Sequence, residues 1–189
     1  MMIEFLKAFF GIFVVMDTLG NLPVFFTFMK AVPAAKKIEV SRQAIVLAGA
    51  VLFLFLFFGY HLLTFFNIDF NSFKVAGGII VLIFGLKLVL GFKIPEEHSH
   101  GSKTALVPLA TPLITGPATI TTIMIFSFQY GFLLTILASL LNLYVAYFSL
   151  VRVDRLHKIL GHQGSDALSK IMGLVLTAIG VGFIQQGWI

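Results

Sequence analysis

The chain has no cysteine and very little charge, and each shortage excludes a class of protein. Without a thiol there is no disulfide framework, no thiolate metal site and no dithiol relay. Charged residues make up 11% of the 189, against about a quarter in a soluble domain. That is too little to coat a globular surface in water. Apolar residues fill the gap at 59%, with 22 phenylalanines among them, and mean hydropathy is +1.02. A soluble domain is excluded. The net charge of +5 does not mark a nucleic-acid binder, because the basic residues fall in short connections between apolar runs. There is no Walker loop.

What is present is a series of membrane-length segments. A spanning helix needs about 20 mostly apolar residues. Six candidates follow one another: Phe5 to Met29, Ala44 to Phe66, Phe73 to Gly91, Ala105 to Phe128, Phe132 to Val151, and Ile171 to Ile184 with Trp188 as an interfacial anchor. The first is interrupted at Asp17-Thr18-Leu19-Gly20-Asn21-Leu22-Pro23, and the fourth carries Pro108, Pro112 and Pro117. Lys30, Lys36, Lys37, Arg42, Lys87, Lys93, Lys103, Arg152, Arg155, Lys158 and Lys170 fall on one side of such a bundle, Lys7 and Lys74 on the other. The positive-inside rule then predicts both termini outside.

Two pairs of segments recur at one offset of 96 residues. Gly20 matches Gly116, and Lys74-Val75-Ala76-Gly77 matches Lys170-Ile171-Met172-Gly173. A unit of three spans is odd, so its second copy starts on the opposite membrane face. The expected fold is therefore an all-α membrane protein of six transmembrane helices in two inverted three-helix repeats, with spans 1 and 4 broken near the midplane. The chain reads as one transmembrane domain over 1–189, with repeats at about 1–92 and 104–189 and a cytoplasmic connection at about 93–103.

Proline removes a helical donor and frees the carbonyl four residues earlier, here those of Leu19, Leu113 and Pro108. Gly20 and Gly116 tolerate the dihedrals such a break needs. Unpaired backbone groups at membrane depth persist only beside protein or a polar cavity. Asp17 is the one acid well inside a span, with Asn21 four positions on, and Thr111, Thr115, Thr119 and Thr122 form a hydroxyl stripe in the fourth. An intramembrane acid is a functional candidate by default, for a proton or a cation. The candidate substrate and ion site is thus Asp17, Gly20, Asn21, Pro23, Thr115, Gly116, Pro117 and Thr119. The plainer alternative is that Asp17 caps the following half-helix and the threonines bond their own carbonyls. Half-helix ends attract anions at one pole and cations at the other, which suits a small zwitterion. No metal or organic cofactor is expected, only a coupling ion, H+ or Na+. Gly77, Val81 and Gly85, with Gly173, Thr177 and Gly180, set small residues along one face for close helix packing.

Other polar residues carry less. Glu96-Glu97-His98-Ser99-His100 lacks the fixed geometry of a metal site. His157 and His162 are expected to stay solvated in a basic loop, and Asn142 and Gln129 to bond across helices.

The segments Asp17 to Pro23, Pro112-Leu113-Ile114-Thr115-Gly116-Pro117, Phe73 to Gly78 and Ile171-Met172-Gly173-Leu174 together resemble the signature of the MarC-related family of integral membrane proteins. That family includes a SnatA-like branch of small neutral amino acid transporters. The resemblance covers essentially the whole chain. It implies a six-span inner-membrane protein and, for that branch, cation-coupled transport of glycine and alanine. The chain departs from the pattern at Thr18, where proline is expected. Three other readings stay open: an exporter of drugs or metabolites, a non-transporting scaffold, and a membrane enzyme. The enzyme reading is disfavoured because the spans offer one acid and no Ser–His pair. The expected partners are the lipid bilayer and a small zwitterionic solute, with an oligomer open.

Overall fold

The computed structural model describes residues 2–30, 32–91 and 114–188. Among these there are seven α-helices, one 3-10 turn and no strand. Helix α1 covers Met2–Met16 and α2 covers Leu22–Lys30, so the first expected span is two helices. The 3-10 turn Ala34–Lys36 leads into α3, Lys37–Phe65. Helix α4 is Phe70–Leu90, α5 is Pro117–Gln129, α6 is Phe132–Val151 and α7 is Val153–Trp188. Expectations about Pro108, Thr111, Pro112, Leu113 and the Glu96–His100 segment lie outside the described residues.

The helix ends follow local chemistry. Asp69 caps α4 by accepting from the backbone N–H of Asn71 and Ser72, at 3.0 and 3.2 Å. Gly91 ends α4 in the left-handed conformation, at φ 71°, which glycine adopts without a Cβ penalty. Pro117 starts α5, where its missing N–H costs nothing.

Among the described residues four helices are long and apolar enough to cross a membrane, counted with the turn that leads into α3: Ala34–Phe65, Phe70–Leu90, Phe132–Val151 and Val153–Trp188. The last contains the expected span from Ile171 to Ile184, and helix precedes it from Val153, kinked at Gly161 with φ 64°. Tertiary contacts hold that polar extension. Lys37 Nζ pairs with Asp154 Oδ2 at 2.7 Å, and His157 stacks on Phe26 at 4.2 Å between ring centroids. His157 is therefore not the solvated loop residue expected; its Nδ1 is buried and has no partner among the described residues.

Large apolar side chains cover the outside of the bundle, among them Phe58, Leu133, Tyr144 and Leu174, each at least 60% exposed. Such a surface needs a lipid environment. Inside, Asn142 is almost fully buried and ties α6 to α1, its Nδ2 donating to the carbonyl oxygens of Phe9 at 3.1 Å and Ala138 at 2.9 Å. Asn142→Ala loses both bonds. Interhelical bonds in membranes average about 0.6 kcal/mol and reach about 1.7. Unfolding of the purified variant in detergent is expected to show a destabilisation in that range.

The closest packing is between α4 and α7, which run antiparallel. A Cβ on Gly78 would come within 2.7 Å of the Gly180 carbonyl oxygen, and one on Gly180 within 2.6 Å of the Leu82 nitrogen. Further along, a Cβ on Gly85 would meet the Thr177 nitrogen at 2.6 Å, and one on Gly173 the Gly85 oxygen at 2.8 Å. Backbone touches backbone along this seam, as the small-residue spacing predicts.

Candidate functional site

The chain leaves helical geometry directly after Met16. Asp17 takes φ 41°, a left-handed conformation that is uncommon for a residue with a side chain. The turn is closed by backbone bonds, Asn21 N–H to the Asp17 oxygen at 2.9 Å and Leu22 N–H to the Leu19 oxygen at 3.3 Å. The Leu19 carbonyl, expected to be freed by Pro23, is thus engaged from within the turn. Pro23 sits in the first turn of α2, and its own carbonyl oxygen accepts from Thr27 Oγ1 at 2.9 Å.

The turn delivers the Asp17 side chain to α7. The residue is 3% exposed, and Ser169 Oγ donates to its Oδ2 at 2.7 Å. Its other oxygen, Oδ1, is buried with no hydrogen-bond partner among the described residues. Gly20 makes the approach possible. A Cβ there would collide with Ser169 Oγ and with both carboxyl oxygens of Asp17. Asn21 does not join the carboxyl group; its Nδ2 faces the Met16 carbonyl oxygen at 3.5 Å, a long contact at the end of α1.

The second break is differently engaged. Thr115 Oγ1 donates to the Ala48 carbonyl oxygen of α3 at 2.9 Å, and Thr119 Oγ1 to the Ile114 carbonyl oxygen at 3.4 Å. Gly116 is the N-cap residue of α5 and Pro117 its first residue. Thr122 Oγ1 is buried without a partner among the described residues, as are the hydroxyls of Ser41, Ser139 and Ser165. No hydrogen bond among the described residues joins the Asp17 group to the Thr115 group.

The two breaks also differ in level. Lys170, next to Ser169, approaches Gly91, so the Asp17 carboxyl group stands beside the C-terminal end of α4. Thr121 packs on Gly77, which sets the start of α5 beside the middle of α4. Helix α1 rises about 22 Å before the chain turns, at roughly 1.5 Å per residue. That carries the first break past the level of the second.

Ser169 is the functional candidate the sequence did not disclose. It lies 152 residues from Asp17 and falls among the charges before the sixth span. Its one signal was position, immediately before the repeated Lys170-Ile171-Met172-Gly173 segment. Gly20→Ala should test the packing directly. Both groups it meets are mobile side chains, so the fold should persist while the Asp17–Ser169 bond is displaced. The expected result is a normal yield of folded protein, read by size-exclusion chromatography in detergent.

A lipid-facing helical bundle around a buried carboxyl group defines a polytopic integral membrane protein. The profile of the MarC family integral membrane proteins matches residues 2–189, and the chain belongs to that family. A UPF0056 membrane protein of Methanocaldococcus jannaschii is 35% identical over 194 residues, covering 97% of this chain and 95% of its own. A UPF0056 membrane protein of Buchnera aphidicola is 32% identical over 92% of this chain and 90% of its own. The UPF0056 inner membrane protein YhgN of Escherichia coli is 29% identical over 97% of this chain and 95% of its own. No solved structure matches at a significant level.

Proposed function

We propose that the protein is a secondary transporter of small neutral amino acids, of the size of glycine and alanine, coupled to H+ or Na+. The observation that carries this reading is the buried Asp17 carboxyl group, bonded through one oxygen to Ser169 and unpartnered at the other. A buried polar atom with no partner is costly, and an ammonium group or a cation would satisfy it. Asp17, Gly20 and Ser169 are the core of this site. Thr115, Gly116, Pro117 and Thr119 line the second break and are assigned to its movement or its opposite pole.

In this reading α1 and α2 make one broken span, and α5 with the residues before it another, giving six. Three correspondences support two inverted repeats. Helices α4 and α7, related by the offset of 96, run antiparallel. Helix α2 packs on α7 as α5 packs on α4. The contacts of Gly78 with Gly180 and Gly85 with Gly173 are centred on Val81 and Thr177, which are themselves 96 apart. The unequal levels of the two breaks fit alternating access, in which similar halves take different positions around one site. Charge distribution favours both termini outside, and the likeness to the inner membrane protein YhgN of E. coli favours that membrane. The site carries a solute and is assigned no reaction.

Uptake of labelled alanine and glycine into proteoliposomes tests the reading. Accumulation should require an inward H+ or Na+ gradient and collapse with an ionophore. No uptake of either solute under either gradient would overturn it.

A further inference from the structure

A groove of about 300 Å³ lies between α1, α5 and α7, apart from the Asp17 side chain. Its lining includes the polar side chains of Lys7, Gln129, Tyr130 and Gln186. Gln129 Nε2 donates to Gln186 Oε1 and so bridges α5 to α7. The apolar part is aromatic. The Phe126 ring meets Tyr130 at 5.0 Å and Phe183 at 5.8 Å, and a Cβ on Gly11 would come within 2.5 Å of it.

Two walls of this groove continue toward the carboxyl group. On α1 the lining positions Lys7, Gly11 and Val14 are spaced by four and three along one face, and the helix ends two residues on at Met16, next to Asp17. On α7 the lining steps from Gln186 through Phe183 and Ile179 to Val175, and the helix continues to Ser169, the partner of Asp17. We propose that this groove is the outer vestibule through which the small zwitterion reaches Asp17, narrowed along its length by Phe126. The proposal rests on the reading of Asp17 as the solute site.

The chemistry suits that occupant. Lys7 is one of two basic residues on the side assigned to the outside, so its ammonium is a local attractor for a carboxylate. The amides and the Tyr130 hydroxyl can exchange hydrogen bonds with both poles of an amino acid. Gly11 leaves the Phe126 ring its seat, and a side chain at that position would force the ring out of it. A narrow aromatic barrier also restricts passage to small solutes.

The cysteine-free sequence makes the test clean, because an introduced thiol is the only one present. Gly182 lines the groove, and a Cβ there would meet nothing within 4 Å, so Gly182→Cys fits without disturbance. A membrane-impermeant cationic methanethiosulfonate, added outside, should modify Gly182→Cys and reduce alanine uptake to background. Saturating alanine should slow the modification severalfold. Val181→Cys, on an exposed apolar neighbour, should not react with that reagent. Reaction of Gly182→Cys only with a lipid-soluble maleimide would mean the groove holds lipid, and would overturn the proposal. Modification with no effect on uptake, or only from inside, would overturn it equally. The labelling is repeated with Asp17→Asn, so the groove is judged even if Asp17 proves dispensable. External modification there supports the vestibule, and its absence counts against it.

Discussion

Asp17→Asn is expected to abolish gradient-driven accumulation of alanine while leaving the protein folded in the membrane. The amide is nearly isosteric and still accepts from Ser169 Oγ through its oxygen, so the α1–α7 contact survives. What it loses is the capacity to bind and release a proton, or to neutralise a cation. Its NH2 group would also occupy the place of the unpartnered Oδ1 with donors, which repel an ammonium group. Net uptake under a gradient should therefore fall to the level of empty liposomes, with size-exclusion behaviour unchanged. Asp17→Glu should retain part of the activity, because it keeps the charge and displaces it by one methylene. Full accumulation by Asp17→Asn would remove the coupling role assigned here.

The second large effect is structural. Gly180→Leu should prevent α4 and α7 from meeting, because a Cβ at this position faces the backbone atoms of Gly78 and Leu82 at 2.6–2.9 Å. Backbone cannot rotate away as a side chain can. Overpacking typically costs about 1–3 kcal/mol and occasionally more, and here the whole seam must separate to admit even one carbon. Yield and monodispersity in detergent should collapse. Gly182→Ala, two residues away in open space, should be silent. Equal behaviour of the two variants would show that the seam is not the determinant of packing.

This contrast also shows what was legible in the sequence. Glycine spacing at Gly85, Gly173 and Gly180 announced a close helix pair, because small residues on one face have few other uses in a membrane, whereas Gly77 packs on Thr121 of α5 and Gly78 stands in the seam. The interruption at Asp17 to Pro23 announced a broken span for the same kind of reason. An acid, a glycine and a proline within seven apolar-flanked residues cannot continue a plain helix. The partner of Asp17 was not legible. Serine is common in helices, and only the fold brings position 169 to position 17. The early start of α7 was hidden similarly. Residues Val153 to Leu160 carry three charges, and tertiary contacts to Lys37 and Phe26 hold that segment, which hydropathy does not register. The unequal depth of the two breaks depends on how far α1 rises before its turn, which no local motif encodes.

In the proposed function solute sits at the meeting of Asp17 and Ser169. Its most direct test is a single thiol at that point, Ser169→Cys, in the otherwise cysteine-free protein purified in detergent. The rate of alkylation by a small maleimide is measured with and without alanine or glycine. Either amino acid is expected to slow alkylation in a saturable way, while a large amino acid such as tryptophan is not. An alkylation rate indifferent to alanine and glycine at every concentration would contradict it.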